Sequence, residues 1–230
     1  MAVILGIEGS TQATSVALWD GEGLFAEYTL ALGLTQGEQL LPAIDRLLQA
    51  ARTTAVRLSA IAVAVGPGSF TGVRIAVTTA KGLARAVHIP VVAVSSLAGL
   101  AQRFLFFPYP ICPLIDARKD EVYAALFRNK SGRIERMMED RVLRPQKLVE
   151  LIKEPCLFVG NGALRYQPYI ESRIPKYANF ASGSLNIMSA ASIAEIGVGK
   201  WKAGRCLDPS ELVPNYVRRS EAEIRRQGPP

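Results

Sequence analysis

The run Gly66-Pro67-Gly68-Ser69-Phe70-Thr71-Gly72 holds the strongest chemical signal in the chain. Its glycines permit a tight turn and a close approach of the backbone to another group. The run follows the apolar stretch Ala60 to Val65 and opens a helical pattern. Backbone N–H groups at a helix start, with the positive end of the dipole, suit an anion. Ser69 and Thr71 are both suited to capping that helix. One reading is a phosphate cradle made of Gly66, Gly68, Ser69, Thr71 and Gly72; the other is a tight strand-to-helix turn that holds no ligand. The spacing G-x-G-x-x-x-G is one residue longer than the dinucleotide fingerprint. Val73 and Arg74 stand where a Walker lysine would follow the last glycine.

Two further segments carry polar groups at turns. Glu8-Gly9-Ser10-Thr11 ends the first apolar run. Gly9 and Ser10 there would contact a phosphate, and Glu8 would hold a magnesium ion through water. The alternative is an ordinary turn whose Ser and Thr bond their own backbone. Asp116-Ala117-Arg118-Lys119-Asp120-Glu121 is a mixed-charge turn, either solvated or a polar contact to a partner. The single histidine, His88, cannot form a His-x-x-x-His zinc pair. No nucleophile elbow accompanies it for a Ser-His-Asp triad. No catalytic residues and no metal ligands are therefore assigned.

The elements that must position these segments follow from periodicity. Val3 to Ile7, Thr14 to Trp19 and Leu24 to Leu30 are three short runs joined by turns, which predicts an antiparallel meander. Leu40, Leu41, Ile44, Leu47, Leu48 and Ala51 recur at helical spacing. Ala60 to Val65 reads as a strand buried on both faces. A helix from Phe70 to about Val87 ends at Ile89-Pro90, and Val91 to Val94 is a second buried strand. Strand, helix and strand make a right-handed parallel βαβ unit. In the second half, Ile111 to Ile115, Glu121 to Phe127 and Arg133 to Met138 read as strands. A helix after Pro145, a strand Leu157 to Val159 and a helix Ser189 to Lys202 follow. Two halves that each read as three strands and then mixed α/β predict a duplicated architecture. The division falls near Gln102 to Tyr109, as an N-terminal lobe 1–103 and a C-terminal lobe 104–230 whose final segment packs back on the first lobe.

The Phe70 to Val87 helix is apolar over more than one face, apart from a stripe of Arg74, Thr78, Lys81 and Arg85. One face would cover the sheet, and the rest needs a second surface. Either a second copy supplies it, giving a four-helix contact with the Leu40 to Ala51 helix, or one large core buries it.

Composition narrows the class. Hydrophobic residues make up 49% of the chain, as in globular domains rather than disordered ones. No stretch approaches the roughly 18 apolar residues of a membrane span, and no signal-peptide pattern opens the chain. Cys112, Cys156 and Cys206 are three and widely spaced, which suits a reducing, cytoplasmic compartment. The net charge of +7 fits either an acidic partner such as nucleic acid or a solvated basic face. Arg218, Arg219, Arg225 and Arg226 cluster near the C-terminus, partly offset by Glu221 and Glu223.

With those residues in place, the chain resembles the TsaB family, also called YeaZ. The resemblance rests on Gly66 to Ile75, Thr79 to Ala84, Val94-Ser95-Ser96-Leu97, Leu40-Leu41-Pro42, Leu114 to Lys119, Glu121-Val122-Tyr123, Gly160-Asn161-Gly162-Ala163 and Pro214 to Arg219. It implies two related α/β lobes of the fold shared by actin, DnaK-type chaperones and sugar kinases. It implies a non-catalytic part in making N6-threonylcarbamoyladenosine at position 37 of tRNAs that read codons beginning with A. The partners it implies are the catalytic subunit TsaD, the ATPase TsaE, tRNA through the complex, and a second copy of the chain. It implies no tightly bound cofactor, with ATP or ADP only in the assembled complex. The implied contact surface comprises Leu40, Leu41, Ile44, Leu47, Leu48, Val73, Val77, Ala80, Leu83 and Ala84. On that reading, Arg at Ala80 breaks association without unfolding the chain. The first strand departs from the usual Asp-Thr-Ser by ending in Glu8-Gly9-Ser10, and Gln36-Gly37 and Gln39 replace a common His-Ser and Arg. The competing readings are an independent nucleotide hydrolase using Glu8 and the glycine loop, and a glycoprotease.

Overall fold

The computed structural model describes residues 2–31 and 36–218. Arg219, Glu221, Glu223, Arg225 and Arg226 lie outside the described residues. The first lobe opens with the meander β1 (Ile4–Glu8), β2 (Thr14–Trp19) and β3 (Leu24–Leu30). Helix α1 (Gln36–Ala50), strand β4 (Ala60–Ala64), helix α2 (Phe70–Ala86), strand β5 (Val91–Val94) and helix α3 (Ser96–Gln102) follow. The second lobe repeats the series with β6 (Ile111–Arg118), β7 (Glu121–Lys130), β8 (Arg133–Leu143), α4 (Pro145–Leu151), β9 (Cys156–Val159), α5 (Asn161–Arg173), β10 (Ala178–Phe180) and α6 (Ala190–Lys202).

The sheets run in the orders β3-β2-β1-β4-β5 and β8-β7-β6-β9-β10, so their topologies are identical. In each, the first three strands pair antiparallel and the last two join in parallel. The duplicated architecture predicted from element order is therefore present strand for strand. Sequence periodicity did not disclose α3, α5 or β10. Helix α3 is only seven residues long, and α5 opens on Asn161-Gly162 and contains Pro168, all poor helix formers.

Alternation along β1 sends Leu5 and Ile7 to one face and Ile4 to the other. Helices α1 and α2 cover the first face through Leu40, Ala43, Ile44, Leu47, Val73, Ala76, Val77, Ala80 and Ala84. Each buried leucine or isoleucine there contributes about 2 kcal/mol. Helix α6 covers the second face, with Ile193 and Val198 against Ala60, Ala62, Ala64 and Ile4. Helix α3 instead joins the second lobe's core, where Leu97, Leu100 and Ala101 meet Ile111 and Ile115. The helix that ends each repeat thus crosses to the other lobe's sheet, and α3 and α6 also touch. Close seating of α6 depends on small residues. A Cβ at Gly6 would stand 2.3 Å from the Ala190 carbonyl oxygen, and one at Gly197 would stand 2.4 Å from the Ala62 Cβ.

The start of α6 is capped from a different strand. Glu27 Oε1 on β3 accepts from Ser189 Oγ at 2.7 Å, Ala191 N at 3.2 Å and Ser15 Oγ at 3.1 Å. Ser15 Oγ in turn accepts from Ala190 N at 3.0 Å. A carboxylate at a helix start complements its orphan N–H groups and its dipole. Glu27→Ala is expected to lower unfolding free energy by about 1–2 kcal/mol, read as a lower urea midpoint with an unchanged slope. Among the described residues, no helix is long and apolar enough to cross a membrane.

Candidate functional site

The carboxyl ends of β1 and β4, the start of α2 and the β6–β7 turn converge with the C-terminal segment. Glycine at 68 is required by contact: a Cβ there would lie 2.3 Å from the Ser10 carbonyl oxygen and 2.6 Å from its Cβ. Ser69 N donates to that same oxygen at 2.6 Å. Ser69 Oγ accepts from Gly72 N at 3.3 Å, and Ser69 is the N-cap of α2. Gly66, at φ +105°, stands in the left-handed region and passes within 3.0 Å of the Asn215 oxygen, measured from a Cβ placed on it. The Gly66 to Gly72 loop and the Glu8 to Thr11 turn are thus packed on each other. N–H groups of Ser69 and Gly72 that a phosphate would need are already bonded within the chain, and the space beside Gly68 is filled by Ser10. Thr71 is exposed and Gly9 is buried. As a phosphate cradle, the set Gly9, Ser10, Gly66, Gly68, Ser69, Thr71 and Gly72 does not fit in this conformation.

Glu8 is fully buried and its Oε1 accepts from Ser10 N. Burial pushes its carboxyl up to about 7, against the opposing effect of hydrogen bonds from Ser10. Among the described residues its Oε2 has no hydrogen-bond partner, and neither do Thr14 Oγ1, Ser96 Oγ or either amide atom of Gln39. A carboxyl sealed in this way is not presented to a hydrated magnesium ion, which needs ionised, accessible oxygens.

The second-lobe turn is held more firmly than a solvated charge run. Asp116 Oδ2 pairs with Arg165 at 2.7 Å, Asp116 Oδ1 accepts from Arg118 N at 2.9 Å, and Asp116 N donates to Asn161 Oδ1 at 3.0 Å. Gly160, at φ +104°, brings α5 down onto β6, since a Cβ there would meet the Leu114 oxygen at 2.3 Å. Arg165 carried no signal of its own in the sequence. Spacing places it on α5, and only the fold brings α5 beside Asp116.

The structure corrects the contact surface expected on α1 and α2. Leu40, Ile44, Leu47, Val73, Val77, Ala80 and Ala84 are each no more than 3% exposed and lie in the chain's own core. They offer nothing to a partner, and the expectation that Arg at Ala80 leaves the fold intact falls with them. Leu41 is 58% exposed, and Leu48 and Leu83 are partly buried. The outward face of α2 is made of Thr71, Arg74, Thr78, Gly82, Arg85 and Ala86. A Cβ at Gly82 would meet no atom within 4 Å. The charged stripe also has specific tasks: Arg74 lies over the Phe70 ring, and Lys81 Nζ donates to the carbonyls of Ser210 and Leu212. His88, at φ +56°, closes α2 in a left-handed C-terminal turn, with Ile89 N donating to Ala84 O at 3.0 Å.

Likeness to known proteins agrees with this layout. The family described as TsaD, tRNA N6-adenosine threonylcarbamoyltransferase, matches residues 36–226. The tRNA threonylcarbamoyladenosine biosynthesis protein TsaB of Bacillus subtilis is 35% identical over 225 residues, 96% of either chain. The solved structure of YeaZ from Pseudomonas aeruginosa superposes with a TM-score of 0.83 at 30% identity, covering 94% of this chain and 100% of that one. Component A of (R)-2-hydroxyglutaryl-CoA dehydratase from Acidaminococcus fermentans shares the fold alone, at a TM-score of 0.50 and 10% identity. The two lobes are those of the actin, DnaK-type chaperone and sugar kinase fold. With its paired lobes, its glycine loop at the start of α2 and full-length likeness to TsaB proteins, the chain belongs to the TsaB (YeaZ) branch of the TsaD family.

Proposed function

We propose that this chain is a non-catalytic subunit of the assembly that forms N6-threonylcarbamoyladenosine at position 37 of tRNAs reading codons that begin with A. It acts by pairing, through the exposed faces of α1 and α2, with a second copy of itself and with a TsaD-type catalytic subunit. A TsaE-type ATPase joins the assembly, tRNA meets the chain within it, and ATP or ADP belongs to the complex rather than to this chain alone. The observation that carries this reading is the contrast at α2. Its start is closed onto Ser10, where a ligand would sit, while its outward side keeps small residues around Gly82 open. A helix face of small residues lets a second helix approach closely.

A reconstituted modification assay with TsaD- and TsaE-type partners tests this, with the modified nucleoside in tRNA read by mass spectrometry. Modification is expected to fall to background when this chain is left out, and the chain alone with ATP and magnesium is expected to show no turnover. Full modification without the chain would overturn the reading. So would ATP turnover by the chain alone that disappears in Glu8→Gln.

A further inference from the structure

The segment 207–218 leaves α6 and runs back along the first lobe. Leu207 exchanges two backbone hydrogen bonds with Val91 of β5, at 2.9 and 3.1 Å. Lys81 on α2 holds the carbonyls of Ser210 at 3.2 Å and Leu212 at 3.0 Å. The Leu212 side chain is 1% exposed within the first-lobe core. Asn215 N then donates to Val65 O at 2.7 Å, so the segment crosses directly over the glycine loop. Tyr216 stacks on Phe70 with ring centroids 5.1 Å apart. Each of these contacts is to the first lobe.

Arg218 then crosses to the second lobe. Its guanidinium donates to Ala117 O at 3.0 Å, pairs with Glu121, and lies 5.9 Å from the Tyr123 ring centre. Ala117 and Glu121 flank Arg118, Lys119 and Asp120, three successive residues at φ +58°, +52° and +56°. Residues with side chains disfavour that region, and a run of three persists only where the surroundings over-determine it. Here one end is held within the lobe by Asp116 and Arg165. Both ends are also held from the strap, by Arg218, through the Ala117 carbonyl and the Glu121 carboxylate.

We propose that residues 207–218 are a cross-lobe latch: a strap seated on α2 and the glycine loop delivers Arg218 to the second lobe, where it holds the β6–β7 turn in its left-handed conformation. Releasing the strap from the first lobe then loosens a turn on the second.

Hydrogen exchange on the full chain tests this. In Arg218→Gln, amides of residues 117–121 are expected to exchange about tenfold faster or more, from loss of a charged hydrogen bond and its partner. The Asn215 amide is expected to speed up as well, while β4 and β9 amides stay unchanged. Glu121→Gln, which leaves the strap intact in sequence, gives a second route to the same release. In Lys81→Ala, which alters only the seat on α2, the same turn is expected to speed up severalfold. Arg165→Ala is expected to free the turn without affecting Asn215. If exchange across 117–121 stays within about twofold of the parent in Arg218→Gln and Glu121→Gln, the latch is wrong. If Lys81→Ala leaves the turn unchanged, Arg218 is an isolated surface pair and the strap does not deliver it.

Discussion

Ala80→Arg is expected to unfold the first lobe, whereas Gly82→Arg, two residues further along α2, is expected to keep the fold and abolish association. Ala80 is 0% exposed, packed in the core shared by β1, β4, α1 and α2. A guanidinium there must either remain charged in an apolar core or force the helix off the sheet. Such a change costs about 5 kcal/mol or more, comparable to the whole stability of a typical domain. A Cβ at Gly82 has no neighbour within 4 Å, so an arginine extends into solvent. Replacing glycine inside a helix also gains about 0.5–1 kcal/mol of helix propensity. Thermal melts are expected to show Gly82→Arg at or slightly above the parent midpoint and Ala80→Arg unfolded or insoluble. Light scattering and pull-down with a TsaD-type partner are expected to show Gly82→Arg as a monomer that captures nothing. If Gly82→Arg associates like the parent, the outward face of α2 is not the contact. If Ala80→Arg melts like the parent, α2 does not sit on the sheet as described.

Stability should also fall as pH rises from about 4.5 to about 7, and Glu8 should be the cause. Its carboxyl is raised from 4.5 to about 7, by burial above all. A group whose native pKa is raised binds its proton more tightly when folded. Its stabilising contribution is complete below the unfolded value near 4.5, declines from there, and is lost once pH passes about 7. At about 1.4 kcal/mol per pH unit, the full swing is about 3 kcal/mol. Glu8→Gln keeps an acceptor for Ser10 N but has no proton to lose. Urea midpoints of the parent are expected to drop between pH 5 and pH 8, and those of Glu8→Gln are expected to change much less. The variant should therefore be the more stable protein at pH 8. Equal pH dependence in the two proteins would show that Glu8 is hydrated or paired when folded.

The two predictions separate what a sequence can reveal from what it cannot. The strands of both meanders, α1, β4, α2 and β5 were legible because side-chain period is a local property: two residues in a strand, 3.6 in a helix. The third strand of the second meander runs on to Leu143, past the Met138 that alternation suggested, because it pairs with β7 as far as Val122. The glycine loop was legible as a strand-to-helix turn for the same local reason. Its partner was not, because Ser10 fills the space beside Gly68 from the turn after β1. The apolar stripes of α1 and α2 were read correctly as stripes. Which surface covers them stayed open, since a pattern shows that a face needs burial and not what supplies it. The chain itself supplies it, for seven of the ten residues expected at a contact.

Arg218 makes the same point from the charged side. In sequence it belonged to a basic cluster that suited an acidic partner. In the structure its acceptors are Ala117, 101 residues away, and Glu121, 97 residues away. By itself the sequence determined the family, the order of elements, their apolar faces and the two turns that punctuate them, all of which depend on neighbours in the chain. The tertiary structure decided that the cradle is closed, that α3 and α6 exchange lobes, that Glu8 is sealed and that a strap ties the lobes together. Those outcomes depend on how far apart residues come to lie once the sheets and helices are packed, and close packing, not periodicity, sets those distances.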